Sequence, residues 1–242
     1  MIIRYAMSSQ QGERKYNEDS ICTKKLKNGW LYVLADGLGG HGHGEVASGT
    51  AIKSIMNRSK WETIDDNFLT NAIEGAQEAV LEKQKEKTEY KKMSTTLVSL
   101  LISDTMAQWG HIGDSRLYMF RRNRILFQTL DHSVPQMLVR MGEITSKQIR
   151  KHPDRNQLLR IIGYPWNDKP YTLSEKVEIV KGDAFLLCSD GFWEYIDEKE
   201  MCTTLRKNRT PFSWLREMQT IVKKNGYNKN MDNYSAICIQ IE

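Results

Sequence analysis

The sequence of 242 residues predicts an α+β fold in which antiparallel β-sheets are covered by helices. Short apolar runs rich in β-branched and aromatic residues follow one another through residues 95–130, with links too short to hold a crossover helix. Helical periodicity is confined to a few segments outside those runs. Because strands joined by short links pair antiparallel, a doubly wound parallel sheet is not expected.

The strand predictions rest on length, β-forming composition and flanking turn residues. Arg122-Asn123 is the expected hairpin turn between two of the runs. In chain order, the predicted strands are residues 2–7, 20–23, 30–35, 95–102, 106–112, 117–121, 124–130, 177–180, 184–189 and 235–241.

The clearest helical pattern covers residues 68–81, whose apolar side chains recur on one face. Asp65 or Asp66 is the expected cap at its start. The mixed-charge run that follows, residues 82–92, is taken as a solvated face and a loop.

Two further helices are predicted. One spans residues 46–56, and the other carries an apolar stripe behind Thr210 as N-cap and Pro211 as first helical residue. An irregular helical patch is expected within residues 130–163 and ends near Pro153.

The composition is that of an ordinary globular protein, with 40% hydrophobic and 27% charged residues. The formal net charge of +5 is spread along the chain, so a nucleic-acid partner is not predicted. The four cysteines form no CxxC pair, and neither a signal peptide nor a membrane segment is recognisable. We therefore expect a cytoplasmic protein with one domain, residues 1–242.

Aspartates occur where four predicted strands meet polar turns. For any single one, the ordinary explanation is that Asp-Gly and Asp-Asn form turns well. If the strand ends converge, however, the carboxylates would repel one another unless hard cations such as Mg²⁺ or Mn²⁺ intervened. The four motifs are Ala35-Asp36-Gly37, Gly113-Asp114-Ser115, Ser189-Asp190-Gly191 and Met231-Asp232-Asn233.

These motifs occur among others in the order seen in the type 2C metal-dependent (PPM-type) serine/threonine protein phosphatases. The chain resembles the bacterial branch of that family from about residue 8 to residue 240. The motifs that carry the resemblance are residues 12–20 (GERKYNEDS), 33–41 (VLADGLGGH), 44–48 (GEVAS), 94–97 (STTL), 113–116 (GDSR), 131–133 (DHS), 187–191 (LCSDG) and 232–233 (DN).

The resemblance implies a four-layer α-β-β-α sandwich with a dinuclear metal site at one end. Asp36 would bridge two divalent cations, Mn²⁺ or Mg²⁺, and Gly37 would offer its carbonyl oxygen to the second. Asp190 and Asp232 would bind the first cation. Asp114, together with Asp190, would hold a third, weakly bound cation.

Other roles follow from the same resemblance. Glu18 and Asp19 would act from the outer shell of the metal site, and Arg14 would hold the substrate phosphate. Leu38 stands where many eukaryotic relatives have a histidine, which leaves the general acid unassigned. Residues 131–163 resemble the family's flap beside the active site.

The implied reaction is direct hydrolysis of phosphoserine or phosphothreonine by a hydroxide that bridges the metals. The implied partners are phosphorylated proteins, substrates of a cognate serine/threonine kinase, and that kinase itself. We expect a monomer.

Two alternatives stay open. A catalytically silent regulatory or binding member of the same fold should have lost a metal aspartate, and all are present here. The loop of residues 37–42 also matches GxGxxG, so a dinucleotide-binding oxidoreductase is the remote alternative, although no strand-like run follows the helix. His41 and His43 are read as loop residues, and His111 and His132 as structural ones.

Overall fold

The computed structural model describes residues 1–38, 42–59 and 64–242. In this part of the chain the strands form two antiparallel sheets, which confirms the predicted fold class. The strands are β1 (Ile3–Gln10), β2 (Asp19–Leu26), β3 (Gly29–Leu38), β4 (Ser94–Thr95), β5 (Leu97–Ser103), β6 (Met106–Ile112), β7 (Arg116–Arg121), β8 (Arg124–Gln128), β9 (Thr172–Leu173), β10 (Val177–Glu178), β11 (Ala184–Cys188) and β12 (Tyr234–Ile241).

One sheet has the order β1-β12-β11-β7-β8, and the other has the order β10-β6-β5-β3-β2, with β4 paired to β3 and β9 paired to β6. The hairpin between β7 and β8 turns at Arg122 and Asn123, as predicted. Both residues have positive φ, 53° and 58°, which is the left-handed conformation that such a tight turn requires.

The core between the sheets follows from the alternation of side chains along each strand. In β3, Tyr32 and Leu34 face the other sheet, where they meet the side chains of Phe185 and Ile237. The intervening residues, such as Val33, face the opposite way and pack under helices. This explains why β3 is a continuous apolar run: it is covered on both faces.

Helices cover the outer face of each sheet. The first two pack on the seven-stranded sheet, and the last three pack on the five-stranded sheet, which gives the four layers. The helices are α1 (Gly44–Arg58), α2 (Phe68–Glu86), α3 (Val134–Met141), α4 (Asp190–Trp193), α5 (Glu198–Lys207) and α6 (Pro211–Gly226). None of them, in the part of the chain that is described, combines the length and apolar character that crossing a bilayer requires.

The structure corrects three helix predictions. Helix α2 continues to Glu86, because the residues after position 81 remain helical and Gln84 donates hydrogen bonds to the carbonyls of Met93 and Gly163. Its N-cap is Asn67, whereas Asp65 accepts a hydrogen bond from the Asn67 amide and does not cap the helix. Helix α5 was not predicted, although Asp197 and Glu200 form the reciprocal capping box that could have indicated it.

Helix α6 begins as expected, with the Thr210 side chain accepting a hydrogen bond from the Ser213 amide. The predicted patch within residues 130–163 contains α3 and a 3₁₀ helix, Ser146–Lys151. This segment is anchored to the sandwich at both ends. The His132 amide donates to the carbonyl of Gly113, and Thr95 pairs with Ile162.

The dinucleotide-binding alternative fails on topology. Strand β3 runs antiparallel to its neighbours, and α1 is followed in the described residues by α2 and not by a parallel strand. A βαβ unit, which that alternative needs, is therefore absent from the described ranges 1–38, 42–59 and 64–242.

We predict that the interface between the sheets dominates stability. Ile239→Ala in β12 should lower the free energy of unfolding by about 2–5 kcal/mol, because Ile239 is fully buried and leaves a cavity. The matched control is Leu126→Ala in β8, whose side chain is 55% exposed and whose loss should cost less than about 0.5 kcal/mol. Urea unfolding followed by tryptophan fluorescence measures both, and equal losses would contradict this assignment of the core.

Candidate active site

The aspartate motifs meet at one end of the sandwich. Asp36 at the end of β3 lies opposite Asp19 at the start of β2, and the turns that hold Asp114, Asp190 and Asp232 adjoin the neighbouring strand ends. A cleft of about 530 Å³ opens there. It is lined by Arg14, Glu18, Asp36, Gly37, Leu38, Lys92, Ser94, Asp114, Asn156, Leu158, Ile161, Tyr164, Asp190 and Asp232.

Asp36 is fixed through its backbone. Its carbonyl oxygen accepts hydrogen bonds from the Thr96 amide at 2.9 Å and from the Thr95 hydroxyl at 2.8 Å, and its amide donates to the Thr96 hydroxyl at 3.1 Å. Burial raises the pKa of Asp36 well above its ordinary value, and the negative charges of Asp19 and Asp190 raise it further. The backbone therefore holds a carboxyl group where a negative charge is costly.

Asp19, the partner of Asp36 on the adjacent strand, is buried. One carboxylate oxygen, Oδ2, accepts a hydrogen bond of 2.8 Å from the Ser189 hydroxyl, whereas Oδ1 is buried without a hydrogen-bond partner. Burial raises the pKa of Asp19 to about 6, although the hydroxyls of Ser235 and Ser189 oppose the shift. An unpartnered buried carboxylate oxygen is a feature that a cation or its bound water would satisfy.

Asp114 and Asp190 complete the negative group. Burial, followed by the charge of Asp131, raises the pKa of Asp114 to about 7. Burial, followed by the charge of Asp114, raises the pKa of Asp190 well above its usual range. Asp190 is the first residue of α4, and its Oδ1 accepts a hydrogen bond of 2.5 Å from the Gly191 amide.

Arg14 and Asp232 are bound to each other. The guanidinium donates from Nε to Oδ1 at 2.9 Å and from Nη2 to Oδ2 at 2.8 Å, so the pair is bidentate. Both side chains are partly exposed at the mouth of the cleft, at 42% and 39%. The sequence pointed to a role for each residue but did not predict this contact.

Glu18 and Gly37 lie where two backbone segments touch. The Gly37 amide donates to the Glu18 carbonyl at 3.1 Å, and the Glu18 carboxylate accepts from the Gly44 amide at 3.2 Å. A Cβ atom at Gly37 would lie only 2.2 Å from the carbonyl oxygen of Gly44. No larger residue fits there without moving the backbone, which accounts for the glycine beside Asp36.

Asn233, the second residue of the Asp-Asn motif, connects the N-terminal segment of residues 11–18 to the C-terminal end of the chain. Its Oδ1 accepts from the Glu18 amide at 2.8 Å. Its Nδ2 donates to the carbonyls of Gln11 at 2.7 Å and Tyr16 at 2.9 Å. The side chain therefore holds the N-terminal segment beside the C-terminal aspartate. Only its place next to Asp232 could have indicated this.

A buried ion pair between Arg116 and Asp131 lies close to Asp114. Arg116 donates to both carboxylate oxygens of Asp131, at 2.8 and 2.7 Å, and its guanidinium lies 3.5 Å from the ring centre of Trp193. The Trp193 indole donates to the Asp114 carbonyl at 3.0 Å. Trp193 is thus a fully packed aromatic whose polar edge also holds the backbone of Asp114.

Lys92 lines the cleft and adds a positive charge to that of Arg14, although the sequence indicated only a solvated charged run. His43 has a positive φ of 68° and lies 3.6 Å from the Glu45 carboxylate, which fits a loop role. His41 lies outside the described residues.

The donor set suits a hard divalent cation, since it consists of carboxylate and carbonyl oxygens around one cleft. No three acidic, histidine or cysteine side chains of the described part of the chain stand close enough together to form a ready-made ion site. Repulsion between the aspartate side chains, and the pairing of Asp232 with Arg14, are consistent with the separation of these acidic groups. The individual ligands stay predictions.

Comparison with known proteins gives one consistent result. The protein phosphatase 2C family model matches residues 8–234. The serine/threonine phosphatase stp of Listeria monocytogenes is 30% identical over 236 residues, which cover 94% of this chain and 91% of that protein. PstP of Mycobacterium tuberculosis is 32% identical over 209 residues, but these are only 39% of its length.

Solved structures agree. The crystal structure of M. tuberculosis PstP superimposes with a TM-score of 0.87 at 29% identity and covers both chains completely. Stp1 from Staphylococcus aureus gives a TM-score of 0.88 at 29% identity, over 100% of this chain and 96% of that one. Sequence family, fold and the order of the aspartates therefore coincide, and this chain belongs to the protein phosphatase 2C family.

Proposed function

We propose that this chain is a metal-dependent serine/threonine protein phosphatase that hydrolyses phosphoserine and phosphothreonine in proteins. The observation that carries the proposal is the gathering of Asp36, Asp114, Asp190 and Asp232 around one cleft with Arg14 at its mouth. Carboxylates with raised pKa values that share a concave site are typical of catalytic centres. The relatives named above are serine/threonine phosphatases, which supports the same reaction.

The cleft residues would hold two divalent cations. Asp36 would bridge them, Asp190 and Asp232 would bind the first, and the Gly37 carbonyl would bind the second. Asp114 would contribute to a weaker third site. The structure of the M. tuberculosis PstP catalytic domain contains two manganese ions, which supports this assignment. Such cations, when bound, supply an activated water and neutralise charge on the phosphoryl group, so that no phosphoenzyme is required.

The chain's own groups orient the substrate. The planar guanidinium of Arg14 donates two parallel hydrogen bonds to the Asp232 carboxylate. Two oxygens of a phosphoryl group could accept the same pair of hydrogen bonds. Lys92 adds positive charge on the cleft wall. Glu18 and Asp19 act behind the first ligands, Glu18 through the Gly44 amide and Asp19 through Ser189.

Leu38 lines the cleft but has no proton to give, so the proton for the leaving oxygen comes from a group other than residue 38. The segment of residues 131–163 supplies Asn156, Leu158 and Ile161 to the cleft wall. This flap would contact the residues around the phosphorylated side chain and so influence substrate choice.

Phosphorylated proteins are the substrate class, and we propose a cognate serine/threonine kinase as the source of the substrates and as a substrate itself. A cytoplasmic monomer with one domain, residues 1–242, would suit this role.

Loss of a central aspartate should abolish activity. Asp36→Asn and Asp190→Asn should each reduce turnover of p-nitrophenyl phosphate with Mn²⁺ by at least about 100-fold, because metal electrostatics supply several kcal/mol of transition-state stabilisation. EDTA should have the same effect on the unaltered protein. Asp168→Asn, at an exposed position outside the cleft, is the control. An unaltered protein without turnover at any Mn²⁺ concentration would favour the catalytically silent alternative.

Arg14 should affect substrate binding more than the metal site. Arg14→Ala should raise KM by about 10–100-fold, since a charge-assisted hydrogen bond contributes roughly 1.5–3 kcal/mol. Arg14→Lys should recover only part of the loss, because an ammonium group cannot bind in the same bidentate manner. Initial-rate kinetics with a phosphothreonine peptide tests this, and an unchanged KM in both variants would remove Arg14 from the substrate site.

Protein treated with EDTA should lose stability as pH rises. Folding raises the pKa of Asp19 from 3.8 to about 6 and that of Asp114 from 3.8 to about 7. Between these pKa values the folded state therefore binds more protons than the unfolded state, so the protein loses stability as pH rises. The loss in free energy of unfolding is on the order of 1.4 kcal/mol for each unit by which folding raises a pKa.

Calorimetric melting of the EDTA-treated protein from pH 4 to 8 measures this dependence. Added Mn²⁺ should raise Tm more at pH 7.5 than at pH 5. Asp114→Asn should flatten the upper part of the curve, and a Tm that rises steadily with pH would contradict the crowding of carboxyl groups.

A further inference from the structure

A second cavity of about 530 Å³ opens between the free edges of the two sheets and shares no lining residue with the aspartate cleft. One side is formed by β6 with the short strands β9 and β10, and the other by β7 and β8. Helix α3 reaches its rim through Arg140. The residues that line it are Trp109, His111, Met119, Leu126, Phe127, Leu130, Arg140, Thr172, Leu173, Ser174, Glu175 and Val177.

Its walls are apolar and aromatic. The rings of Trp109 and Phe127 lie 4.8 Å apart at 44° and form a continuous aromatic surface. Leu126, Phe127 and Leu130 are 55%, 40% and 48% exposed, so large apolar side chains at this mouth remain in contact with water. An apolar cavity of this size with a few polar groups is the usual form of a small-molecule site.

His111 forms part of the cavity wall as a neutral ring. The residue is only 3% exposed. Its Nε2 lies 2.9 Å from the Leu130 carbonyl oxygen, which only accepts, so Nε2 carries the hydrogen. Burial lowers the pKa of His111, which keeps the ring uncharged.

Three polar side chains at the cavity are available for a ligand. His132 Nδ1 accepts from the Gly113 amide, so its Nε2 donates to the Thr172 hydroxyl at 3.0 Å and leaves the hydroxyl hydrogen free to donate. Arg140 and Glu175 stand at the rim, and neither side chain makes a hydrogen bond or an ion pair with any other described residue of the chain.

We propose that this cavity binds a small aromatic anion. The aromatic body packs against Trp109 and Phe127, and the anionic group pairs with Arg140 and accepts a hydrogen bond from the Thr172 hydroxyl. Glu175 on the same rim disfavours molecules with more than one negative charge.

The site is joined to the aspartate cleft by a short chain of contacts. The His111 and His132 rings are stacked with centres 4.6 Å apart. His132 binds Gly113 twice, by accepting from its amide at 3.3 Å and by donating its own amide to the Gly113 carbonyl at 2.9 Å. Gly113 precedes Asp114. A ligand bound to the Thr172 hydroxyl therefore acts on His132 and, through Gly113, on the backbone next to a cleft carboxylate. This part of the inference rests on the proposed phosphatase function.

The probe is 8-anilinonaphthalene-1-sulfonate, which has an aromatic body, one N–H donor and one sulfonate. Titration of the folded full chain should give saturable one-to-one binding, seen in the probe's fluorescence and in the side-chain NMR resonance of Trp109. Leu126→Ala and Arg140→Ala should each weaken binding by about fivefold or more, since each removes on the order of 1 kcal/mol of contact.

The matched controls are Phe212→Ala and Arg216→Ala, which alter exposed residues of α6 away from the cavity and should leave binding unchanged. Unsaturable binding, or equal affinity in all four variants, would overturn the site. Probe at a concentration near its Kd for the unaltered protein should also change turnover of p-nitrophenyl phosphate, and Arg140→Ala should need about fivefold more probe for the same change. Binding without that change would refute the coupling alone, and binding to a protein without turnover would separate this site from the proposed function.

Discussion

The mutual repulsion of carboxylates at one end of the sandwich is the constraint on which the rest of the site depends. Asp19, Asp36, Asp114 and Asp190 all have pKa values raised first by burial and then by neighbouring acidic side chains. A fold gains nothing in stability from such a cluster. The surrounding architecture must therefore hold it in place, and the stability of the two apolar sheets is what permits this.

The restraint comes mainly from backbone groups and neutral hydroxyls. Thr95 and Thr96 bind the main chain of Asp36, and Ser189 binds the side chain of Asp19. Such partners fix geometry without neutralising charge, so the carboxylates stay available to cations. Where a positive charge does lie below the cleft, as in Arg116, it is already paired with Asp131. Apart from the Arg14–Asp232 pair, the carboxyl groups of the cleft are thus held in place mainly by neutral contacts.

The sequence predicted the fold class, most strands and the convergence of the aspartates, because strand alternation and strand-end motifs are local signals. It missed α5 because only its capping box marked the start, and it ended α2 early because a charged surface face resembles a loop. It could not predict that Asn233 joins two distant segments or that Lys92 turns toward the cleft. Those facts depend on contacts between residues far apart in the chain.

The Arg14–Asp232 pair shows how one contact reconciles two predicted roles that conflict at first sight. Arg14 was expected to hold phosphate and Asp232 to hold a metal, yet each now satisfies the other. Both side chains are partly exposed, so separating them costs less than breaking a buried pair. If a cation bound Asp232 and a phosphoryl group reached Arg14, both charges would remain paired. The pair is thus compatible with both roles, because each member exchanges one ionic partner for another.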